Sequence, residues 1–280
     1  MARIESLNML TTEAGKAYLA ELYGKTIGGV MKSLVSVGMK NTELSGDPVA
    51  GSVEAKRFAN ATPQNYGTAR AAGKGNAVKA AAVTVAIDTD KEIVEELEEK
   101  DVRLYGVDGL LDRRAANHVV RMTSELDKEF FATAHAAAVQ IEVTDGLAIE
   151  DELELIIQEC ENTQNEFVDG VPRELMHLTL NTAYYGKIRN NLDKQTRSNV
   201  DTAAEEFYTW HGVECKSCVH LPTGVPFILQ VAGSVAQPIM SDQYTAEKIP
   251  LSEAYGVELF YHYGTKAVTP DLIFKPKQSA

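Results

Sequence analysis

The chain has 280 residues, 44% hydrophobic and 24% charged, enough for one elaborate domain or two modest ones with a buried core. Its 27 basic and 40 acidic residues give a formal net charge of −13 with no long Lys/Arg run, which excludes a sequence-reading nucleic-acid binder and leaves only weak, nonspecific contact with phosphate backbones. Three cysteines are too few for a disulfide framework and point to a reducing compartment, and neither a signal peptide in residues 1–10 nor an apolar run near the ~18 residues of a membrane span is present.

Thr11-Thr12-Glu13 predicts a helix start, with Ala14, Tyr18, Leu19 and Leu22 as a short apolar stripe that fades at Gly24. From Gly28 to Gly75 the chain is rich in Gly, Ser, Thr, Asn and Ala, and Phe58 and Tyr66 are its only aromatic residues. That composition reads as an arm and an extended loop outside any core. Within it Gly67 to Gly75 resembles a phosphate-binding loop, but five residues separate the first glycine from Gly73-Lys74, and Gly75 stands where a hydroxyl is needed. Arg70, Lys74 and Lys79 are therefore charges on a mobile loop. Asn60-Ala61-Thr62 is a chance glycosylation match.

Ala81 to Asp88 alternates with Val83, Val85 and Ile87 on one side, as a strand does. Lys91 to Lys100 fits either a helix or a charged returning strand, and a hairpin turning at Asp88-Thr89-Asp90 is the preferred reading. The two aspartates there lack the later glycine and glutamate of a calcium loop.

The longest pattern runs from Val107 to Ala138. Val107, Leu111, Ala115, Val119, Met122, Leu126, Phe130 and Ala134 recur at helical spacing, with Asp108 in the first turn. At 1.5 Å per residue this helix is on the order of 45–50 Å long, the length of a spine. Arg113 and Arg114 form a solvated or partner-facing pair, and His118, with no second ligand one turn away, is structural.

A short apolar piece, Val139 to Val143, and a turn at Asp145-Gly146 precede a second helix from Ile149 to Phe167. Its buried stripe is Ile149, Leu153, Ile156, Ile157 and Cys160. After the break at Gly170-Val171-Pro172, Met176 to Leu180 is a strand and Asn181-Thr182 caps a helix through Ile188. Asn191 to Ala204 reads as a surface loop. Val225 to Val231 is a buried strand, Gly256 to Gly264 an alternating one, and Ala267 to Phe274, with Pro270 inside, an edge strand at best.

His211, Cys215, Cys218 and His220 are dense enough to raise zinc binding as an alternative, that of a zinc-binding enzyme. A strand through Val213 to His220 would send His211 and Cys215 to one face and Cys218 and His220 to the other, so structural use is preferred. No HExxH, GxSxG, Ser-His-Asp order or dinucleotide fingerprint occurs, and the carboxylates are scattered; neither enzymatic activity nor a cofactor is expected.

The order of these pieces, with the phrases MHLTLNTAYYGKIRN, HGVEC and LPTGVPFILQVAGSVA, resembles the HK97-like major capsid proteins of tailed bacteriophages. The resemblance implies an α+β fold with an N-terminal arm (1–49), an E loop (50–90) that reaches over a neighbouring subunit, a P domain (91–171 and 245–280) whose spine helix is 107–138, and an A domain (172–244). It implies a shell of pentamers and hexamers around double-stranded DNA in the virion, assembled in the bacterial host cytoplasm without a membrane. Too little sequence precedes the E loop for a built-in scaffolding segment, so a separate scaffolding protein and a portal protein are expected partners. An encapsulin-like nanocompartment shares the fold and is the alternative. Arg70, Lys74, Lys79, Asp112, Arg113, Arg114 and Arg121 are the candidates for contacts between subunits. Lys56, Lys74 and Lys79 are the lysines placed for an inter-subunit cross-link, which is not predicted.

Overall fold

The computed structural model describes residues 5–143, 146–194 and 208–277. Helix α1 (Glu13–Ser33) is followed by β1 (Leu44–Ser45), β2 (Ser52–Phe58), the short helix α2 (Thr68–Ala72) and β3 (Ala80–Ala86). Strand β4 (Thr89–Leu97) leads into α3 (Glu99–Ala137), then come β5 (Val139–Ile141), α4 (Ile149–Glu161), β6 (Met176–Leu180) and α5 (Thr182–Lys194). The remaining strands are β7 (Thr209–Trp210), β8 (Val213–Ser217), β9 (Phe227–Val231), β10 (Val235–Ala236), β11 (Ile239–Ser241), β12 (Thr245–Lys248), β13 (Tyr255–Tyr263), β14 (Lys266–Ala267) and β15 (Ile273–Pro276). The chain forms two compact units, one from Met1–Val37, Ala86–Glu129 and Pro238–Gly264, the other from Gly38–Val85, Phe130–Gln237 and Thr265–Ala280.

In the first unit β13 is the organising strand. It pairs antiparallel with β4 along its whole length, from Tyr255↔Leu97 to Tyr263↔Thr89, and with β11 and β12 on its other edge. Its buried face, Val257, Leu259, Tyr261 and Tyr263, joins one core with Tyr18, Leu19 and Leu22 of α1 and Leu111, Met122 and Leu126 of α3. Each such side chain contributes about 1.5–3 kcal/mol on burial.

Helix α1 starts where the sequence predicts, Thr12 accepting the Gly15 N–H at its cap, but it does not fade at Gly24. It runs on to Ser33 and buries Thr26 and Val30, so the segment read as an unpacked arm is core. The glycines that suggested disorder serve packing: a Cβ on Gly29 would stand 2.9 Å from the Val119 side chain, so α1 and α3 approach closely only through glycine. After α1 the chain is fastened by Asp127 of α3. Its fully buried carboxylate accepts from the Val35 N–H at 3.0 Å, the Ser36 N–H at 3.2 Å and the Ser36 hydroxyl at 2.6 Å.

The long helix begins eight residues before Val107 and is broken once. Gly106 has φ 72° and ψ 169°, a conformation open in practice only to glycine, so Glu99 to Tyr105 is a separate helical segment and the predicted rod starts after it. The expected hairpin between β3 and β4 does not form. Strand β3 pairs instead with β2, and β4 with β13, because a nine-residue partner satisfies more of the β4 backbone than a turn at Asp88-Thr89-Asp90.

The second unit holds a six-stranded sheet in the order β5-β15-β9-β6-β8-β7. Pairings β15–β5 and β6–β8 are parallel, the others antiparallel. Leu178, Leu229, Cys215 and Phe274 of this sheet share a core with Leu153, Ile156 and Cys160 of α4 and Ile188 of α5. Strands β6 and β9 are buried at all five positions, so His177 and Thr179 of β6 and Gln230 of β9 are buried polar groups among apolar ones. The Asn181 carbonyl oxygen of the side chain accepts from the Tyr184 N–H at 2.8 Å, the predicted cap, though α5 continues past Ile188 to Lys194. Asn191 to Lys194 is therefore helical, and the rest of the expected surface loop lies outside the described residues, as does Asp145 of the expected turn.

Helix α4 stops at Glu161, short of Phe167. The Asn162 amide and Thr163 hydroxyl take the Gln158 and Glu159 carbonyls, and the Asn165 side chain then accepts from the Phe167 and Val168 N–H groups to form a turn. Strand β15 is not an edge: it lies between β5 and β9, and Pro270 is absorbed in a 3₁₀ turn before it. In the same unit β1, β2 and β3 form a small sheet whose Val53, Ala55 and Val85 pack on Ala236 and Val268.

Candidate assembly surfaces

The β2–β3 ribbon projects a tip in which residues 61–80 are all exposed. Tyr66 is 95% exposed, and its ring contact is with Arg70 of the same tip, whose guanidinium lies 5.9 Å from the ring centroid. Lys74 and Lys79 are exposed and make no ion pair among the described residues. Lys56 is exposed on β2. The tip cannot be ordered by burial within its own unit.

Its stem is held firmly. Arg57 donates both terminal nitrogens to Asp271, at 2.7 and 2.8 Å, and its guanidinium covers the Phe167 ring at 4.4 Å from the centroid. The Asn165 amide donates to the same carboxylate at 2.6 Å, and the Asn60 N–H donates to the Glu166 carbonyl at 2.9 Å. Burial pushes the Asp271 carboxyl up, yet the Arg57 hydrogen bonds and charge outweigh it and hold it below the usual range. Arg57 was missed in the sequence, although alternation predicts it: Val53, Ala55 and Arg57 share one face of β2, so a cation stands where an apolar residue is expected.

Among the spine-helix candidates, Asp112 and Arg121 are exposed. Arg113 lies over the Tyr105 ring at 4.3 Å, bridging the Gly106 break. Arg114 is engaged within its own unit: its Nε donates to both Glu95 oxygens at 2.9 and 2.7 Å, and a terminal nitrogen closes the pair. The hydrogen bonds from Arg114 hold the Glu95 carboxyl below its ordinary range. Glu95 falls on the buried face of β4 between Ile93 and Leu97, a second place where a charge interrupts an apolar alternation.

His118 completes this cluster. It is buried, its Nδ1 is 2.7 Å from the Tyr244 hydroxyl, and its Nε2 is 3.3 Å from Glu95. Burial pushes its pKa down despite the Glu95 charge, so it is kept neutral as a structural group. Glu125, one face along, takes Lys91 of β4 at 2.9 Å and the Tyr263 hydroxyl at 3.2 Å.

The His/Cys constellation is dispersed. His211 gives its Nδ1 to Glu154 at 2.5 Å and stacks on Trp210. Arg173 donates to Glu154 and Glu161, each at 2.7 Å in its shorter contact, and these bonds hold the Glu154 carboxyl down to about 2. Cys215 lies in the sheet core, its thiol pushed up to about 12 by burial. β8 ends at Ser217, so the predicted alternation does not reach Cys218, whose sulfur accepts from the His220 N–H at 3.3 Å. Among the described residues no three His, Cys, Asp or Glu side chains converge as a metal site, and no helix is long and apolar enough to cross a membrane.

No protein-family model and no curated protein matches the sequence. Solved structures do match the fold. A chain from Mycobacterium phage Che8 is 17% identical with a TM-score of 0.61, covering 88% of this chain and 91% of that one. The capsid structure of the cyanophage P-SCSP1u gives 13% identity and a TM-score of 0.62, over 86% and 85%. A virus-like particle from Pyrococcus furiosus gives 12% and 0.54, over 92% and 98%.

Proposed function

From the α+β, HK97-like capsid fold that this chain has, we propose that it is the major capsid protein of a tailed bacteriophage, a structural subunit of the icosahedral head that encloses double-stranded DNA. The observation that carries this reading is the exposed hairpin tip at residues 61–80 on a clamped stem. Fixing a residue's backbone costs about 1–2 kcal/mol, and a tip that buries nothing at home recovers that only from other copies. Many copies joined through unlike surfaces close into pentamers and hexamers of a shell.

In that role residues 1–49 are the N-terminal segment, packed into the core through α1, 50–90 the E loop, 91–171 and 245–280 the P domain and 172–244 the A domain, with Arg70, Lys74, Lys79, Asp112, Arg113 and Arg121 as contact candidates and Arg114 held by Glu95. A net charge of −13 suits a container filled by a motor, where tight DNA binding is not needed. Lys16 and Lys25 are occupied by Glu13 and Glu21, each at 3.2 Å, which leaves exposed Lys32 for weak nonspecific contact with DNA. A separate scaffolding protein and a portal complete the head, which forms in the bacterial cytoplasm and ends in the virion. No catalysis and no cofactor enter this role.

The likeness to the Pyrococcus furiosus particle, over 98% of that chain, sustains a second reading, an encapsulin-like nanocompartment shell. Co-purification separates the two: an enclosed enzyme supports the compartment, scaffold and portal the phage head. Electron microscopy and sizing chromatography test both, since a stable monomer or small dimer with an ordered hairpin tip would sink the shell reading.

A further inference from the structure

Strand β15 presents different chemistry to the two faces of the six-stranded sheet. Phe274 shares the core with α4, so the next residue, Lys275, projects from the opposite face beside Gln140 of β5, its register partner in the parallel pair. Both line a pocket of about 270 Å³ together with His135 of α3, Val225, Pro226 and Pro276. That volume is below the range of drug-sized ligand sites and suits a molecule of a few non-hydrogen atoms. One wall is held in place by Asn181, whose N–H donates to the Pro226 carbonyl at 2.9 Å and whose side-chain amide donates to the Val225 carbonyl at 2.8 Å.

Lys275 is a half-buried cation with no acid beside it. Its Nζ donates to the His135 carbonyl at 2.7 Å and lies 3.3 Å from the His135 Nε2. Burial and the Lys275 charge both lower the His135 pKa, so at neutral pH the ring is uncharged and its Nε2 accepts. These contacts use two of the three ammonium protons. The carbonyl belongs to the last turn of α3, and a helix end offers roughly half a negative charge, so the pocket stays net positive. None of the six lining residues is Asp or Glu in a chain that has 40 of them, and Lys275 forms no ion pair among the described residues. Burial lowers the Lys275 pKa and no carboxylate offsets it; the neighbouring Glu142 is taken by Lys277. The Gln140 amide is exposed and makes no hydrogen bond among the described residues.

We propose that this pocket binds a small aliphatic carboxylate, its two oxygens on the Lys275 ammonium and the Gln140 amide and its hydrocarbon body against Val225, Pro226 and Pro276. The ligand supplies the anion that the chain withholds, and a charge-assisted hydrogen bond in a half-buried site is stronger than one in open water. Two donors match the two oxygens of a carboxylate. A phosphate group would leave further oxygens facing the apolar wall without partners, which costs binding energy. The inference stands apart from the shell reading, since it concerns a pocket within one chain.

The test titrates the full chain calorimetrically with sodium butyrate at an ionic strength held constant by sodium chloride. Saturable binding of one butyrate per chain is expected in the millimolar range, as befits so small a ligand. Butyramide, its uncharged counterpart, and inorganic phosphate should each bind at least tenfold more weakly. Acetylation of amines followed by mass spectrometry reads the position: butyrate should slow labelling of Lys275 at least fivefold and leave the exposed Lys74 and Lys79 unchanged. Gln140→Glu sets a carboxylate of the chain's own beside Lys275, at an exposed position that the fold does not depend on, and should lower butyrate affinity at least tenfold. Gln140→Leu removes one hydrogen bond and should lower it about threefold. The absence of saturable binding, equal binding of butyramide or phosphate, protection spread equally over Lys74 and Lys79, or full affinity in Gln140→Glu would each overturn the site.

Discussion

Replacing Arg57 with alanine removes the clamp at the hairpin stem, and the structure sets the size of the effect. Two charge-assisted hydrogen bonds at 2.7 and 2.8 Å join a side chain 16% exposed to one 33% exposed. A charged hydrogen bond contributes roughly 1.5–3 kcal/mol when shielded and less when water competes, and the stacking on Phe167 adds about 0.5–1 kcal/mol. The expected loss is therefore about 2–4 kcal/mol, with Asp271 left half-buried and without its cationic partner. Arg57→Lys keeps the charge but not the two-pronged geometry and should recover less than half of it. Denaturant unfolding of dispersed subunits measures the stability change, and hydrogen exchange over residues 52–58 and 163–169 measures where it falls. Because Asp271 is held below the ordinary carboxylate range, the clamp's contribution is present above the unfolded-state pKa and is lost as pH falls through the lower folded one. The variant should converge on the wild type in strong acid. A loss under about 0.5 kcal/mol, or faster exchange elsewhere with none at the stem, would refute the clamp.

Three more outcomes are expected. Asp127→Ala orphans two backbone N–H groups and a hydroxyl in a fully buried site and should cost about 3–5 kcal/mol, read as a fall in the unfolding midpoint. Gly29→Ala should destabilise by about 1–2 kcal/mol through Val119 and become neutral or better in a Val119→Ala background; Gly24→Ala, with no atom within 4 Å of its Cβ position, should stabilise by about 0.5–1 kcal/mol. His118 has a folded pKa below its ordinary 6.5, so the unfolded chain takes the proton first and stability falls as pH drops from 6.5 toward the folded value. His118→Gln should flatten that fall below pH 6.5, the residual slope coming from His135 and His177, whose pKa values burial also lowers; an unchanged slope would reassign it to those two.

Local pattern carried most of the elements. The α3 stripe, the largely apolar β9, the alternating β13 and the Asn181 cap are each written in fewer than about thirty consecutive residues, and each formed as expected. What local pattern lacks is the partner. Strand β4 looked like half of a hairpin because nothing near it announces β13, more than a hundred residues later, and β15 looked like an edge because its neighbours β5 and β9 lie far off in sequence. Helix α1 was cut short because Gly24, Gly28 and Gly29 weaken a lone helix, and only the close approach of Val119 makes a glycine the right residue there. For the surfaces, exposed charges such as Arg70, Lys74 and Lys79 were legible from composition. Arg57 and Glu95 were not noticed, since their meaning lies in interrupting a buried face.

The pairing of β4 with β13 also sets a clock. Ribosomes add about 5–20 residues per second, so β4 and the whole of α3 wait on the order of ten to thirty seconds before Tyr255 to Tyr263 exist to receive them. During that interval the apolar faces of α1 and α3 have each other but no sheet, and the β5 edge has no β15. Contacts this distant in sequence are the slowest to close. A growing chain therefore cannot complete either sheet until its last strands have been made.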